Sequence, residues 1–308
     1  MNNILISSYS FNISNSSDIT SIENSINHII NFIDSVPTYN DISVTKDILQ
    51  FRMGEETLDD ILFEVSGMQS DIYQHYLNEF EKSISSNKSN ITTEEVLETV
   101  NEGPSFRGDF ASVYYQVGHW PNIPATIHVS NQSSVYELNC QNLELHPISN
   151  DDFSERAELL FNNVIFHPDF SETLTTVKTG AFEDYSIEFV RATRALHNAV
   201  PLLTNSGHNP PDLITIRDET AKLGRTMGCT PQGKNKDGLY YDFKIFHDEI
   251  GKDKEINMSC EYHLKINFDN TGEKINSDFY NRAYFGLPLI EGRKRITLAF
   301  MGKHYNED

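Results

Sequence analysis

The chain has 308 residues, of which 38% are apolar and 22% charged, so it is long enough for two domains and can bury a sizeable core. Its 45 acidic and 24 basic residues give a formal net charge of −21, which disfavours general binding to nucleic acid or to an anionic membrane. Any nucleic-acid contact must therefore be a local patch. The first basic residue is Lys46 and no apolar run approaches 18 residues, so we expect a cytoplasmic protein with no signal peptide and no membrane span.

Residues 1–105 are predicted to form an acidic helical region. Apolar residues recur at helical spacing from Ile22 to Ile33 and again from Leu58 to Tyr76, and Pro37 ends the first helix. Residues 1–150 hold 20 acidic and 5 basic side chains, a net charge of −15. Such a surface repels itself, so we expect a protein partner with a basic face.

Residues 106–205 are predicted to form a second region. Short β-prone runs at 112–117, 125–129 and 135–138 are separated by turn residues, which predicts a small antiparallel sheet. Helices are expected over 154–163 and 184–200.

Residues 206–308 are predicted to form a C-terminal α+β domain. A helix is expected from Thr215 to Met227, followed by strands at 239–246, 258–268, 282–287 and 295–301. Short links between consecutive strands favour an antiparallel meander. The fold class predicted for the whole chain is α+β.

The strand around Cys260 places its polar side chains on one face. Strict alternation puts Glu261, His263 and Lys265 together, opposite a set that includes Leu264 and Ile266. The same alternation adds outward-pointing side chains from the next strands, namely Arg282, Tyr284, Arg295 and Lys303, and His304 follows directly. The result is a basic, histidine-containing sheet face in an acidic chain.

Two interpretations of this face are open. Arg and Lys stabilise the charge of a phosphodiester in its transition state while His or Glu moves a proton, which predicts RNA binding or cleavage. A solvated ladder of cross-strand ion pairs has the same composition.

The three cysteines are too few for a disulfide framework and favour reduced thiols. Cys229, Cys260, His263 and His304 would supply four zinc ligands, but no Cys-x-x-Cys pair supports a metal site.

A series of short motifs carries a resemblance at the C-terminus. It comprises Glu261-Tyr-His-Leu-Lys265, Arg282-Ala-Tyr-Phe285 and Gly302-Lys-His-Tyr305, preceded by Tyr240-Tyr-Asp-Phe243 and Cys229-Thr-Pro231. About 95 residues in this region resemble a group of uncharacterised bacterial proteins associated with mobile-element and phage-defence loci. They are also faintly similar to RelE/HigB-type toxins, small antiparallel sheets that cut messenger RNA with Lys, Arg, His and Tyr side chains.

The resemblance implies a bacterial defence or toxin-type protein whose C-terminal sheet binds or cleaves RNA without metal or other cofactor. The catalytic candidates are Glu261, His263 and His304, and the candidate substrate-binding residues are Lys265, Arg282, Tyr284, Arg295 and Lys303. The alternative is a non-enzymatic interaction subunit of a multi-protein anti-phage defence complex. Whether the protein is an enzyme is left open by the sequence.

Overall fold

The computed structural model describes residues 2–11, 18–102, 110–114, 127–233, 239–247, 252–276 and 280–304. The chain divides into two compact units, Met1–Asn142 and Leu143–Asp308. The division into three regions, with boundaries near residues 105 and 205, stays a prediction from the sequence. In the described part of the chain, no helix is both long and apolar enough to cross a membrane.

The first unit alternates strands and helices. Its strands are β1 (Asn2–Ile6), β2 (Asp41–Val44), β3 (Arg52–Met53), β4 (Glu56–Thr57), β5 (Phe110–Tyr114) and β6 (His128–Val129). Its helices are α1 (Ile19–Ser35), α2 (Leu58–Val65), α3 (Ser70–Ile84) and α4 (Thr93–Glu102), and α5 (Gln132–Leu145) begins in it.

Four of these strands form a parallel sheet in the order β2-β1-β5-β6. Parallel neighbours require a crossover connection, which α1 supplies between β1 and β2. The apolar face predicted for α1 is buried in the unit's core, where Ile22, Ile26 and Ile29 belong to the same cluster as residues of the sheet and of α2. Asp18 begins α1 by accepting a hydrogen bond from the Ser21 amide at 2.8 Å.

The long helix predicted from Leu58 to Tyr76 is two helices, α2 and α3. Gly67 has φ of +68° and Met68 has φ of +59°, a left-handed conformation that ends a helix. Leu58, Ile61 and Leu62 of α2 are buried as the periodicity predicts.

The described part of the second unit contains a five-stranded mixed sheet and two hairpins. Its helices are α6 (Asn150–Leu160), α7 (Phe170–Thr173), α8 (Ser186–Ala199) and α9 (Pro210–Lys222). Its strands are β7 (Val164–Phe166), β8 (Cys229–Pro231), β9 (Tyr240–His247), β10 (Lys252–Ser259), β11 (Tyr262–Ile266), β12 (Asn281–Gly286), β13 (Leu289–Ile290), β14 (Arg293–Lys294) and β15 (Ile296–Gly302).

The sheet has the order β7-β15-β12-β11-β8, with β7 parallel to β15 and the other pairs antiparallel. Helix α8 packs on β11 and β15. The β9–β10 hairpin buries Phe243, Ile245 and Met258 in a second cluster with Cys260 and Ala299. Strands β11, β12 and β15 form the antiparallel part of the predicted C-terminal meander. The predicted strand at 239–246 is not part of it, because β9 pairs with β10, and the predicted strand at 258–268 is divided between β10 and β11.

A fully buried ion pair ties the β13–β14 hairpin to α9. Lys294 Nζ donates to Asp212 Oδ2 at 2.5 Å and to Asn209 Oδ1 at 2.8 Å. The carboxylate also accepts the Thr204 amide and hydroxyl, so the buried charges are paired and hydrogen-bonded.

The α+β class predicted from the sequence is confirmed. Within it, the antiparallel sheet expected over residues 112–138 is wrong, because β5 and β6 pair in parallel and residues 135–138 lie in helix α5. The Asn131-Gln-Ser-Ser134 segment, expected to be a turn, begins that helix, with the Ser134 amide donating to Asn131 Oδ1 at 2.9 Å. Of the predicted runs at 112–117 and 125–129, residues 115–117 and 125–126 lie outside the described residues.

Candidate functional site

The polar side chains predicted to share a sheet face meet on β11 and β12. In the antiparallel register His263 lies opposite Tyr284, and Lys265 lies opposite Arg282. Directly paired residues project from the same face, so these four side chains form one patch. We call His263, Lys265, Arg282 and His304 the basic cluster.

His263 is at the centre of this cluster and is only 2% exposed. Arg282 Nη1 donates to His263 Nε2 at 2.7 Å, and Thr230 Oγ1 of β8 lies 3.2 Å from the same nitrogen. A guanidinium can only donate, so Nε2 is the accepting nitrogen and the ring proton is on Nδ1. The imidazole is therefore neutral in this arrangement.

The surroundings of His263 oppose its protonation. Burial, and then the charges of Arg282, Lys265 and His304, lower the pKa of His263 from 6.5 to about 3. No carboxylate contributes to that shift in the described part of the chain. Among the described residues, the charges that lower the pKa of His263 are therefore all basic.

The end of β15 places Gly302 on this face of the sheet, and Lys303 and His304 follow the strand. Gly302 lies opposite Arg282, and a side chain at Gly302 would collide with Thr173 and Thr176. The absence of a Cβ allows the segment after α7 to pack closely, and the Lys303 amide donates to the Thr176 carbonyl at 3.3 Å. His304 follows, and its charge acts on His263.

Tyr284 is fully buried beside His263, with ring centroids 5.3 Å apart, and it also contacts the Phe300 ring at 6.0 Å. The burial of His263 and Tyr284 is unlike the solvated ladder that the sequence left open, since such a ladder exposes its polar side chains to water.

Two predicted residues line separate cavities. Glu261 precedes β11 and lines a cavity of about 440 Å³ with Lys254 and Leu289. Arg295 precedes β15 and lines a cavity of about 530 Å³ with Arg293. The structure therefore does not bring Glu261 or Arg295 together with His263, because the strands that carry the alternation begin after each of them.

Thr230 is the residue that sequence reasoning missed. The sequence analysis predicts no strand at this position, yet Thr230 pairs with His263 across β8 and β11. A β-branched residue before Pro231 favours an extended backbone, which is the signal that predicts a short strand there.

The described residues include no group of three or more His, Cys, Asp or Glu placed to hold a metal ion. Burial raises the pKa of both the Cys229 and the Cys260 thiol to about 12, and Cys260 Sγ lies 3.6 Å from Thr297 Oγ1. These thiols are therefore protonated at neutral pH, and the four zinc ligands considered from the sequence do not converge.

Comparison with known proteins found no matching protein-family model, no matching curated protein and no matching solved structure.

Proposed function

We propose that the second unit binds RNA through the basic cluster and cleaves it without metal, as a defence or toxin-type protein of the bacterial cytoplasm. The observation that supports this function is the gathering of Lys265, Arg282 and His304 around a neutral, buried His263. In a chain of net charge −21, such a local excess of positive charge favours a phosphate ligand.

Arg282 is the residue best suited to hold the phosphate. Its guanidinium is fixed by one hydrogen bond to His263, and its pairing with Lys265 on the neighbouring strand adds a second cation. A guanidinium held in place binds phosphate oxygens with less loss of side-chain freedom than a free one.

The reaction we propose is transesterification at phosphorus. The 2′-oxygen attacks, its proton passes to a base, the bond from phosphorus to the 5′-oxygen breaks, and that oxygen receives a proton. Lys265 and Arg282 would stabilise the negative charge that develops on the phosphoryl oxygens. His263 Nε2 already accepts from Arg282, so His263 is proposed as a positioning residue and His304 as the residue that transfers protons.

The binding step is tested with fluorescently labelled single-stranded RNA and the full-length chain. Replacing Lys265 and Arg282 by Gln is expected to weaken RNA binding at least tenfold. The slope of the logarithm of the dissociation constant against the logarithm of the salt concentration should fall by the amount expected for the loss of about two phosphate contacts. Lys254→Gln, which removes a cation beside a different cavity, is the matched control and should leave binding unchanged. Wild-type chain that does not bind RNA at low salt would overturn the proposal.

The cleavage step is tested with the same RNA in excess EDTA. His304→Gln should abolish cleavage while RNA binding changes by less than about threefold, since only proton transfer is removed. Cleavage that survives in His304→Gln would show that another group moves the proton. Growth inhibition on expression of the wild type, relieved by the same substitution, would support a toxin-type role.

The second candidate function is that of a non-enzymatic subunit in a defence complex. The net charge of −15 over residues 1–150 favours it, because a surface of one sign is stabilised by a partner of the other. RNA binding without cleavage, together with co-purification of a basic protein, would favour this function over the nuclease.

A further inference from the structure

The parallel sheet of the first unit points to a ligand site that is separate from the basic cluster. From β1 the chain moves to β2 on one side, whereas the other neighbour of β1, strand β5, leads to β6 on the opposite side. The strand order therefore reverses between β1 and β5. In open parallel sheets, ligands bind outside the carboxyl ends of the strands at such a reversal.

A cavity lies at this edge of the sheet. It has a volume of about 400 Å³, within the range of small-molecule sites. One wall is Ser130, Asn131 and Gln132, which directly follow the carboxyl end of β6. The other wall comes from α1 and includes His28 and Phe32.

The α1 wall is anchored to the carboxyl end of β5. Tyr114 is the last residue of β5, and its hydroxyl forms a 2.5 Å hydrogen bond with His28 Nδ1. The Phe32 and Tyr114 ring centroids are 4.1 Å apart. The cavity wall is therefore held against the carboxyl end of a strand that flanks the reversal.

The side chains that line the cavity indicate which class of ligand fits it. Asn31, Asn131 and Gln132 supply amides, Ser35 and Ser130 supply hydroxyls, and Phe32 supplies an aromatic ring. Among the described residues that line the cavity, none is Asp, Glu, Lys or Arg. Side-chain amides match the paired donors and acceptors on the edge of a base, and hydroxyls match those of a ribose.

We propose that this cavity binds a purine nucleoside that carries no phosphate. The surrounding charge of −15 over residues 1–150 disfavours a nucleotide, because each phosphate adds charge of the same sign. A drug-sized ligand in a preformed, partly open cavity of this kind is expected to bind with a dissociation constant on the order of 100 µM.

The test uses isothermal titration of the full-length chain with adenosine and with guanosine. At least one is expected to bind, and ATP is expected to bind several-fold more weakly. Asn31→Leu, at an exposed position, should weaken nucleoside binding about tenfold by removing the amide. Asn27→Leu, one helical turn earlier and outside the lining, is the matched control and should bind like the wild type.

A second variant keeps the test decisive if Asn31→Leu changes the fold. Gln132→Ala removes an amide from the opposite wall and should weaken binding in the same direction. Absence of heat from both nucleosides at about 2 mM, twentyfold above the expected constant, would overturn the proposal. Tighter binding of ATP than of adenosine would overturn it as well, by showing a phosphate site instead.

Discussion

Replacing His263 by Gln should make the free energy of unfolding less sensitive to acid. The wild-type imidazole is neutral in the folded chain, with a pKa lowered to about 3 from its ordinary 6.5 by burial and by Arg282, Lys265 and His304. Between these two values the unfolded chain binds more protons than the folded chain. The free energy of unfolding therefore falls as the pH drops from 6.5 toward 3.

The size of this effect follows from the shift. Between pH 8 and pH 5, the linkage amounts to a loss of about 2 kcal/mol from His263 alone. Gln does not titrate, and its side-chain oxygen still accepts a hydrogen bond from Arg282. The free energy of unfolding of the variant should therefore fall by about 2 kcal/mol less than that of the wild type between pH 8 and pH 5.

The free energy of unfolding is measured in urea at pH 8 and at pH 5. Unfolding is followed by the appearance of protease cleavage within β11 and β12. The other titrating groups contribute equally to the pH dependence of both proteins, so their contributions cancel in the difference between wild type and variant. His208→Gln, at an exposed position in the same unit, is the control and should keep the wild-type pH dependence. If wild type and His263→Gln lose the same stability on acidification, the ring is not held neutral by its surroundings.

Three further predictions concern the two units. Lys294→Met leaves Asp212 buried without its cation and should lower the free energy of unfolding of the second unit by about 3–5 kcal/mol in urea, whereas adding Asp212→Leu should restore most of it. Ile29→Asp places a carboxylate in the core of the first unit and should destabilise that unit by several kcal/mol, as seen by calorimetry, whereas the exposed Asn27→Asp should not. A basic partner captured by the acidic first unit should dissociate as ionic strength rises, and a complex insensitive to salt would contradict an electrostatic interface.

The helices were predictable because their apolar periodicity is local. The face from Ile22 to Ile29 is buried, and Phe189, Ala192 and Leu196 of α8 lie on one buried face. Their ends were less predictable, since the break between α2 and α3 depends on the left-handed conformation at Gly67.

The parallel sheet was not predictable in the same way. Strand β1 pairs with β5 across more than 100 residues, and β6 has only two residues, too few to show any period. Polar residues before a helix resemble a turn, because Asn and Ser satisfy backbone amides in both settings. Only the tertiary pairing decides that Asn131 begins a helix.

The basic cluster was predictable in composition but not in geometry. Alternation on β11 and β12 correctly places His263 with Lys265 and Arg282 with Tyr284. It fails at Glu261, because the Cys260 amide donates to the Leu239 carbonyl and the strand begins only at Tyr262. The contact between Arg282 and His263 depends on the register of two strands, which no local pattern specifies.

The register also decides how the proposed chemistry divides among the side chains. A general base must present a lone pair to the substrate, and the Nε2 lone pair of His263 is directed at Arg282. A pKa near 3 further weakens His263 as a base, since few protons would be held at neutral pH. The buried imidazole of His263 is a hydrogen-bond acceptor at a fixed position. It orients the Arg282 guanidinium without neutralising its charge. A carboxylate at position 263 would orient Arg282 equally well but would cancel the positive charge that a phosphate needs, so the proposed phosphate binding requires a neutral acceptor at this position.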